Sequence, residues 1–365
     1  MSQMLTPGRS LQCVHSLVFL AWATSACSDA ADPGTSGASD EDADSGAMGD
    51  GDTGSTENDA ATVDSDDEGG SADIAQDAAT DVDGINGDTD AAADDAADAV
   101  APAPRPAVAC LQDPECDDII VVAHRGMHRD PWASIPENSL ASIRVAGEVG
   151  VPMVEIDVRH TADDVLVVMH DGDLDRTTDG TGNVDTLTWE ELQQVRLDGG
   201  TEEVPDTLRI PTFAQALEQA RVSGVDLYVD VKSDRIALMV QSIVDADMVG
   251  HVLFREDEGG ALAAYQIEPA LSLLIPVDTS EQANALLQQI PELRVVEVVS
   301  PIVQPELTAQ LRDLGLVVQQ DVFVSGDTLW FAGGGTEGWL EYVDAGVQVV
   351  QTDYPIQLLQ ALADR

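Results

Sequence analysis

Four short stretches place chemically capable side chains at the ends of apolar, strand-like runs. "AHRG" (residues 123–126) offers His124 and Arg125, "EID" (155–157) offers Glu155 and Asp157, "VMHD" (168–171) offers His170, and "DVK" (230–232) offers Asp230 and Lys232. Lys232 is the one lysine in 365 residues, beside fifteen arginines. On an extended chain, residues two apart point the same way, so Glu155 pairs with Asp157 and Asp230 with Lys232 on single faces. If those faces meet, three carboxylates, two imidazoles, one guanidinium and one ammonium converge. That inventory suits the chemistry of a phosphate ester. Carboxylates bind a hard divalent cation, the cation and the two basic groups neutralise the phosphate, and two histidines move protons.

Taken one at a time, each residue has a plainer reading. His124 or His170 alone is explained as a buried histidine that has found a hydrogen-bond partner. Glu155 and Asp157 would be explained by ion pairs with Arg125 and Lys232. The conjunction weighs against packing as the whole account, because gathering that many charges at several strand ends is costly unless a ligand or metal compensates.

The elements that must position these groups follow from the hydrophobic pattern. Eight apolar, β-branched runs are expected as strands, over residues 119–124, 153–158, 227–232, 251–255, 271–277, 294–299, 316–323 and 347–353. Stretches with apolar residues recurring at three and four spacings, such as "ENSLASIRVAGEVG" after the first strand and "EQANALLQQI" after the fifth, read as helices. Eight strand–helix units with strands buried on both faces predict a closed parallel α/β barrel, a TIM (β/α)8 barrel, rather than an open sheet. No G-x-G-x-x-G marks a dinucleotide site. An added strand at 165–171 follows the second too closely for a crossover helix and opens a small insertion running to about residue 204. Barrel chemistry sits at the C-terminal ends of the strands, which is where the polar residues above fall.

The order of motifs resembles one known family, the glycerophosphodiester phosphodiesterases. "AHRG" is followed by "PENS" (136–139), "EIDVRHTADDVLVVMHD" (155–171), "LDRTTDGTG" (174–182), "IPTF" (210–213), "LYVDVK" (227–232) and "GVQVVQTDYP" (346–355). The resemblance covers nearly everything after residue 118. It implies a TIM barrel with an insertion after the second strand, His124 and His170 as an acid/base pair, and Glu155 and Asp157 as ligands of a divalent ion, Ca²⁺ or Mg²⁺. It further implies that Arg125 and Lys232 contact phosphate and that Glu137 supports the site. The expected reaction is hydrolysis of a small-molecule glycerophosphodiester to glycerol 3-phosphate and an alcohol. Asp230 departs from the family, which has Glu there, and the shorter side chain must close on the ion or bridge to it through water. Sphingomyelinase D-type phospholipases, distant relatives on the same barrel, resemble the chain at this point because they use Asp as the third ligand. A non-catalytic phosphodiester-binding lipoprotein is the remaining alternative.

The rest of the chain bears on its address. Residues 1–27 read as an export signal, with Arg9 ahead of the apolar run "LVFLAWATSA", which is too short to span a bilayer. "ATSAC" resembles a lipoprotein lipobox, so Cys27 is expected either to carry lipid, as the sole link to a membrane, or to follow a plain cleavage site. Residues 28–107 hold 23 Asp and Glu against one Arg and no aromatic residue. They are expected to be a disordered acidic linker, a tether with an r.m.s. reach on the order of 50 Å. "DVDGINGDTD" (81–90) superficially resembles a calcium loop but lacks a terminal bidentate acid and flanking helices, so a solvated spacer is expected. The barrel domain is expected over residues 108–365, with Cys110 and Cys116 free to form a disulfide in an oxidising cell envelope or outside the cell. A formal charge of −52 excludes nucleic acid and anionic membrane as partners.

Overall fold

The computed structural model describes residues 106–129, 135–199 and 208–365. The export signal, Cys27, the acidic run at 81–90 and almost all of the linker lie outside the described residues. Among them, no helix is long and apolar enough to cross a membrane.

All eight expected strands are present: β1 (Ile120–Ala123), β2 (Met153–His160), β4 (Asp226–Val231), β5 (Val252–Arg255), β6 (Ser272–Pro276), β7 (Val295–Glu297), β8 (Val317–Asp321) and β9 (Val349–Thr352). Each pairs in parallel with the next, and β1 pairs with both β2 and β9, so the sheet closes into a barrel. The added strand, β3 (Leu166–Val168), runs antiparallel to the end of β2, as its short connection requires. Its insertion has a satellite core of its own, built on Val167, Leu174, Val184, Leu192 and Ile210.

Alternation along the strands decides which residues face inward. Val122, Met153, Tyr228, Leu253, Leu274, Val295, Val317 and Val349 share one cluster inside the barrel. Their neighbours, including Val121, Val154, Val229 and Phe254, pack outward against the helices. Two residues further along each strand, the inward series becomes His124, Glu155, Asp230, Arg255, Pro276, Glu297, Gln319 and Gln351. The interior therefore changes from hydrocarbon to charge within one layer, at the C-terminal mouth.

The opposite mouth is closed by a feature the apolar pattern does not reveal. A short helix, α1 (Ala107–Gln112), places Ala107, Val108, Cys110 and Leu111 in the interior cluster. It starts one residue ahead of the expected domain start. The amide of Val108 donates to Asp226 Oδ2 at 2.7 Å, and Cys110 is bonded to Cys116. Both thiols are consumed there, so no thiolate is left for a metal. Because Leu111 is wholly buried, Leu111→Ala should lower stability by about 2–5 kcal/mol, read as a lower midpoint in thermal or denaturant unfolding.

Candidate functional site

The turn after β1 shapes the first wall. Arg125 has a φ of +53° and Gly126 of +80°. A Cβ on Gly126 would lie 2.3 Å from Ser142 Oγ, so glycine is needed to let the turn rest on the next helix, α2 (Leu140–Glu148). This conformation aims the Arg125 amide at Glu155 Oε2, 2.8 Å away.

Each polar residue of "PENS" has a separate task. Ser139 caps α2 in a reciprocal pair with Ser142. Asn138, buried and with a φ of +54°, donates to Asp157 Oδ2 at 2.8 Å and accepts the Asp157 amide at 3.1 Å. Glu137 binds Arg125 Nη1 at 2.9 Å and both terminal nitrogens of Arg176 at 2.8 and 2.9 Å. Burial alone would raise the Glu137 carboxyl, but the two guanidiniums outweigh it and hold the group far below the usual carboxylate range.

Glu155, Asp157 and Asp230 meet as expected. Each offers an oxygen, and these oxygens lie within 4.8 Å of one another. Glu155 and Asp157 are 2% and 1% exposed. Burial first, and then the Asp157 and Asp230 charges, push the Glu155 carboxyl well up. Lys232 lies between two of the three, 2.8 Å from Asp230 Oδ2 and 3.6 Å from Asp157 Oδ1. Burial alone would lower its ammonium, yet Asp230 and Asp157 raise it, so Lys232 stays charged. The other Asp230 oxygen is taken by Arg255 Nη1 at 3.1 Å, and Arg255 Nε is held by Glu297 at 2.8 Å. The short Asp230 side chain is thus fixed by two cations. The three oxygens can share one hard cation at the roughly 2.3–2.6 Å that calcium takes, and the raised Glu155 carboxyl marks negative charge such an ion would offset.

Both histidines are oriented by carboxylates. His124 Nδ1 is 2.8 Å from Asp353 Oδ1, and His170 Nδ1 is 2.6 Å from Asp171 Oδ1. With Nδ1 engaged in each, Nε2 is the nitrogen left to meet a substrate. Burial lowers the His170 imidazole, which favours its neutral form at neutral pH. Asp353 is itself held: burial would raise it, but His124 brings it down to about 2. Its amide donates to Asp327 Oδ2 at 2.7 Å, and Asp327 Oδ1 accepts from Thr352 Oγ1 at 2.5 Å and from Trp339 Nε1 at 2.7 Å. Asp327 closes the π-helical turn Phe323–Asp327, whose Phe323 ring lies 4.3 Å from the His124 ring.

All eight sequence-derived candidates, His124, Arg125, Glu137, Glu155, Asp157, His170, Asp230 and Lys232, therefore stand at this mouth, on β2, β4 and the segments that follow β1, β3 and β4. Sequence reading passed over Asn138, Asp171, Asp353 and the pair Arg255–Glu297. The first three lie inside the quoted motifs, which was the available signal; Arg255 and Glu297 end β5 and β7 in inward register, where the strand-end rule would have found them.

The fold and mouth define a class: a (β/α)8 barrel able to hold a divalent cation and an anionic substrate. Comparison narrows it. The model of the glycerophosphoryl diester phosphodiesterase family matches residues 124–325, and the chain belongs to that family. It is 39% identical over 119 residues to glycerophosphodiester phosphodiesterase 1 of Rattus norvegicus, a match covering 32% of this chain and 34% of the relative. A glycerophosphodiester phosphodiesterase of Caldanaerobacter subterraneus is 37% identical over 116 residues, covering 31% of this chain and 45% of that one. The matched segments thus span less than half the length of these relatives. Among solved structures, a glycerophosphoryl diester phosphodiesterase of Parabacteroides distasonis superimposes with a TM-score of 0.61 at 28% identity, over 70% of this chain and 90% of that one. A phosphodiesterase of Oleispira antarctica, solved with its product sn-glycerol-3-phosphate, shares the fold with a TM-score of 0.55 at 24% identity, over 67% of this chain and 96% of that one.

Asp321, at the end of β8, supplies a pH test. Burial first, then the Glu297 charge, push its carboxyl up to about 7. Between its unfolded value near 4 and about 7, the folded state keeps a proton that the unfolded chain has released, so stability falls as pH rises through that window. Asp321→Asn should therefore be more stable than the parent at pH 8, by on the order of 4 kcal/mol, with the difference vanishing towards pH 4 in denaturant titrations.

Proposed function

We propose that the chain hydrolyses glycerophosphodiesters to glycerol 3-phosphate and an alcohol, with a divalent ion held by Glu155, Asp157 and Asp230. The observation that carries this reading is the meeting of two histidine–carboxylate pairs with a triad of carboxylates, two buried and one half-buried, at the mouth of a barrel of this family. The bound ion, Ca²⁺ or Mg²⁺, would act as a Lewis acid on a phosphoryl oxygen. The side chains do the remaining work. Arg125 and Lys232 offset the charge of the phosphate, and the ion pairs with Glu137 and Asp230 keep both cations in place beforehand. One histidine takes the proton of the attacking hydroxyl through Nε2 while the other returns a proton to the departing alkoxide. Asp353 and Asp171 hold the two rings in the tautomers those transfers need.

The setting proposed for this activity is outside the cytoplasm, either in the cell envelope on a lipid carried by Cys27 or as a secreted protein. The Cys110–Cys116 disulfide supports an oxidising compartment.

Incubation of the purified chain with glycerophosphocholine and Ca²⁺ or Mg²⁺, with released glycerol 3-phosphate coupled to a dehydrogenase, should give metal-dependent turnover that a chelator abolishes. His124→Ala and His170→Ala should each lower kcat by about 10²- to 10⁴-fold. Binding of the intact diester without release would overturn the hydrolase reading.

A further inference from the structure

His124 is fixed from two sides, and both sides lead to one buried carboxylate. On one side its Nδ1 meets Asp353; on the other the Phe323 ring packs against it. Asp353 is the first residue past β9, and its amide leaves the strand ladder to donate to Asp327 Oδ2 at 2.7 Å. Its other ionic partner, Arg129 Nε at 3.2 Å, is half exposed and holds it weakly. Phe323 opens a π-helical turn, an uncommon form that recurs at functional sites. Asp327 closes that turn, its amide donating to the carbonyl of Val322 at 3.0 Å.

The type of residue at 327 follows from its surroundings. Three donors converge on the side chain: the Asp353 amide on Oδ2, and Thr352 Oγ1 and Trp339 Nε1 on Oδ1. A carboxylate accepts at both oxygens, whereas an amide would turn a donor of its own towards one of these groups. Asp327 is 4% exposed, so a donor that lost it would be left unmet. A Cβ on Gly326 would lie 2.2 Å from Trp339 Cδ1, so glycine there lets the turn close on the helix Glu337–Asp344 and brings the indole within reach. The ladder between β8 and β9 closes this part of the barrel without Asp327.

We infer that Asp327 is a positioning residue for the acid/base chemistry of His124, acting through Asp353 on one flank of the ring and through the turn that carries Phe323 on the other. The kinetic side of the inference rests on the hydrolase reading; the geometric side does not. By fixing the backbone of Asp353, Asp327 keeps the proton of neutral His124 on Nδ1 and leaves Nε2 bare, facing the reacting group. By fixing the turn, it sets the ring plane against Phe323. Misplacing a catalytic group by about 1 Å costs on the order of 10²-fold in rate, so a carboxylate that touches no substrate sets kcat.

The test uses the full chain labelled with ¹⁵N-histidine, the His124 signals being assigned by their loss in His124→Gln. Well above the histidine titration range, the parent should show one tautomer, with Nδ1 protonated. Asp327→Asn, which keeps the size of the side chain, should move His124 towards a mixture of tautomers. Its kcat on glycerophosphocholine should fall by about 10- to 100-fold with KM within about twofold of the parent's. Trp339→Phe removes a buried donor from the same carboxylate but leaves the Asp353 contact, so it should lower stability while the tautomer and kcat stay close to the parent's. A tautomer unchanged in Asp327→Asn, or changed equally in Trp339→Phe, makes Asp327 a packing residue and overturns the inference. Should Asp327→Asn fail to fold, Thr352→Val, which keeps the side chain's shape and removes one of the three donors, should shift the same signals in the same direction and by less; unmoved signals there overturn the inference. If the parent itself does not turn over the diester, the hydrolase reading fails and the tautomer comparison alone decides the role of Asp327.

Discussion

The carboxylate of Asp157 is almost wholly buried, and the mouth of the barrel is built around compensating that charge. Asn138 meets one oxygen and the backbone amide, Lys232 approaches the other oxygen, and Arg125 Nε lies 3.7 Å away. Each of these partners is secured in turn: Lys232 by Asp230, Asp230 by Arg255, Arg255 by Glu297, and Arg125 by Glu137. An isolated buried carboxylate would take up a proton rather than remain charged. A network in which Asp157, Asp230, Lys232, Arg125 and Arg255 each face an opposite charge lets acids and bases sit side by side, already placed for an incoming ion and phosphate.

This arrangement explains why a single lysine stands at position 232. The ammonium lies between two carboxylates that also face the proposed ion, where a compact charge on a flexible stem fits and a planar guanidinium would have to spread across both. The nearby guanidinium is instead used at Arg255, whose two ends bridge Asp230 and Glu297 on strands further round the barrel. The shorter acid at 230 is thus part of a fixed chain of ion pairs rather than a loose substitute.

Much of this was legible in the sequence because it depends on alternation. Once a run is assigned as a strand, residues two apart share a face, which placed Glu155 with Asp157 and Asp230 with Lys232. The eight strands were legible because strands buried on both faces read as continuous apolar runs. Pairings between distant segments were not. Nothing local in "TDYP" says that Asp353 will meet His124, 229 residues away, and nothing in "VAC" says that a six-residue helix will close the far end of the barrel. The π-helical turn after β8 was also hidden, since its form depends on Asp327 reaching Thr352, Asp353 and Trp339.

The central claim is that the three carboxylates act together as one divalent-cation site, and calorimetric titration of Ca²⁺ into the full chain and into Asp157→Asn tests it directly, without relying on turnover. The parent should show one stoichiometric site well separated from weak binding to other acids, and Asp157→Asn, which keeps the Asn138 contact at one oxygen but loses the charge, should lack it. A stoichiometric site of unchanged affinity in Asp157→Asn would contradict the account.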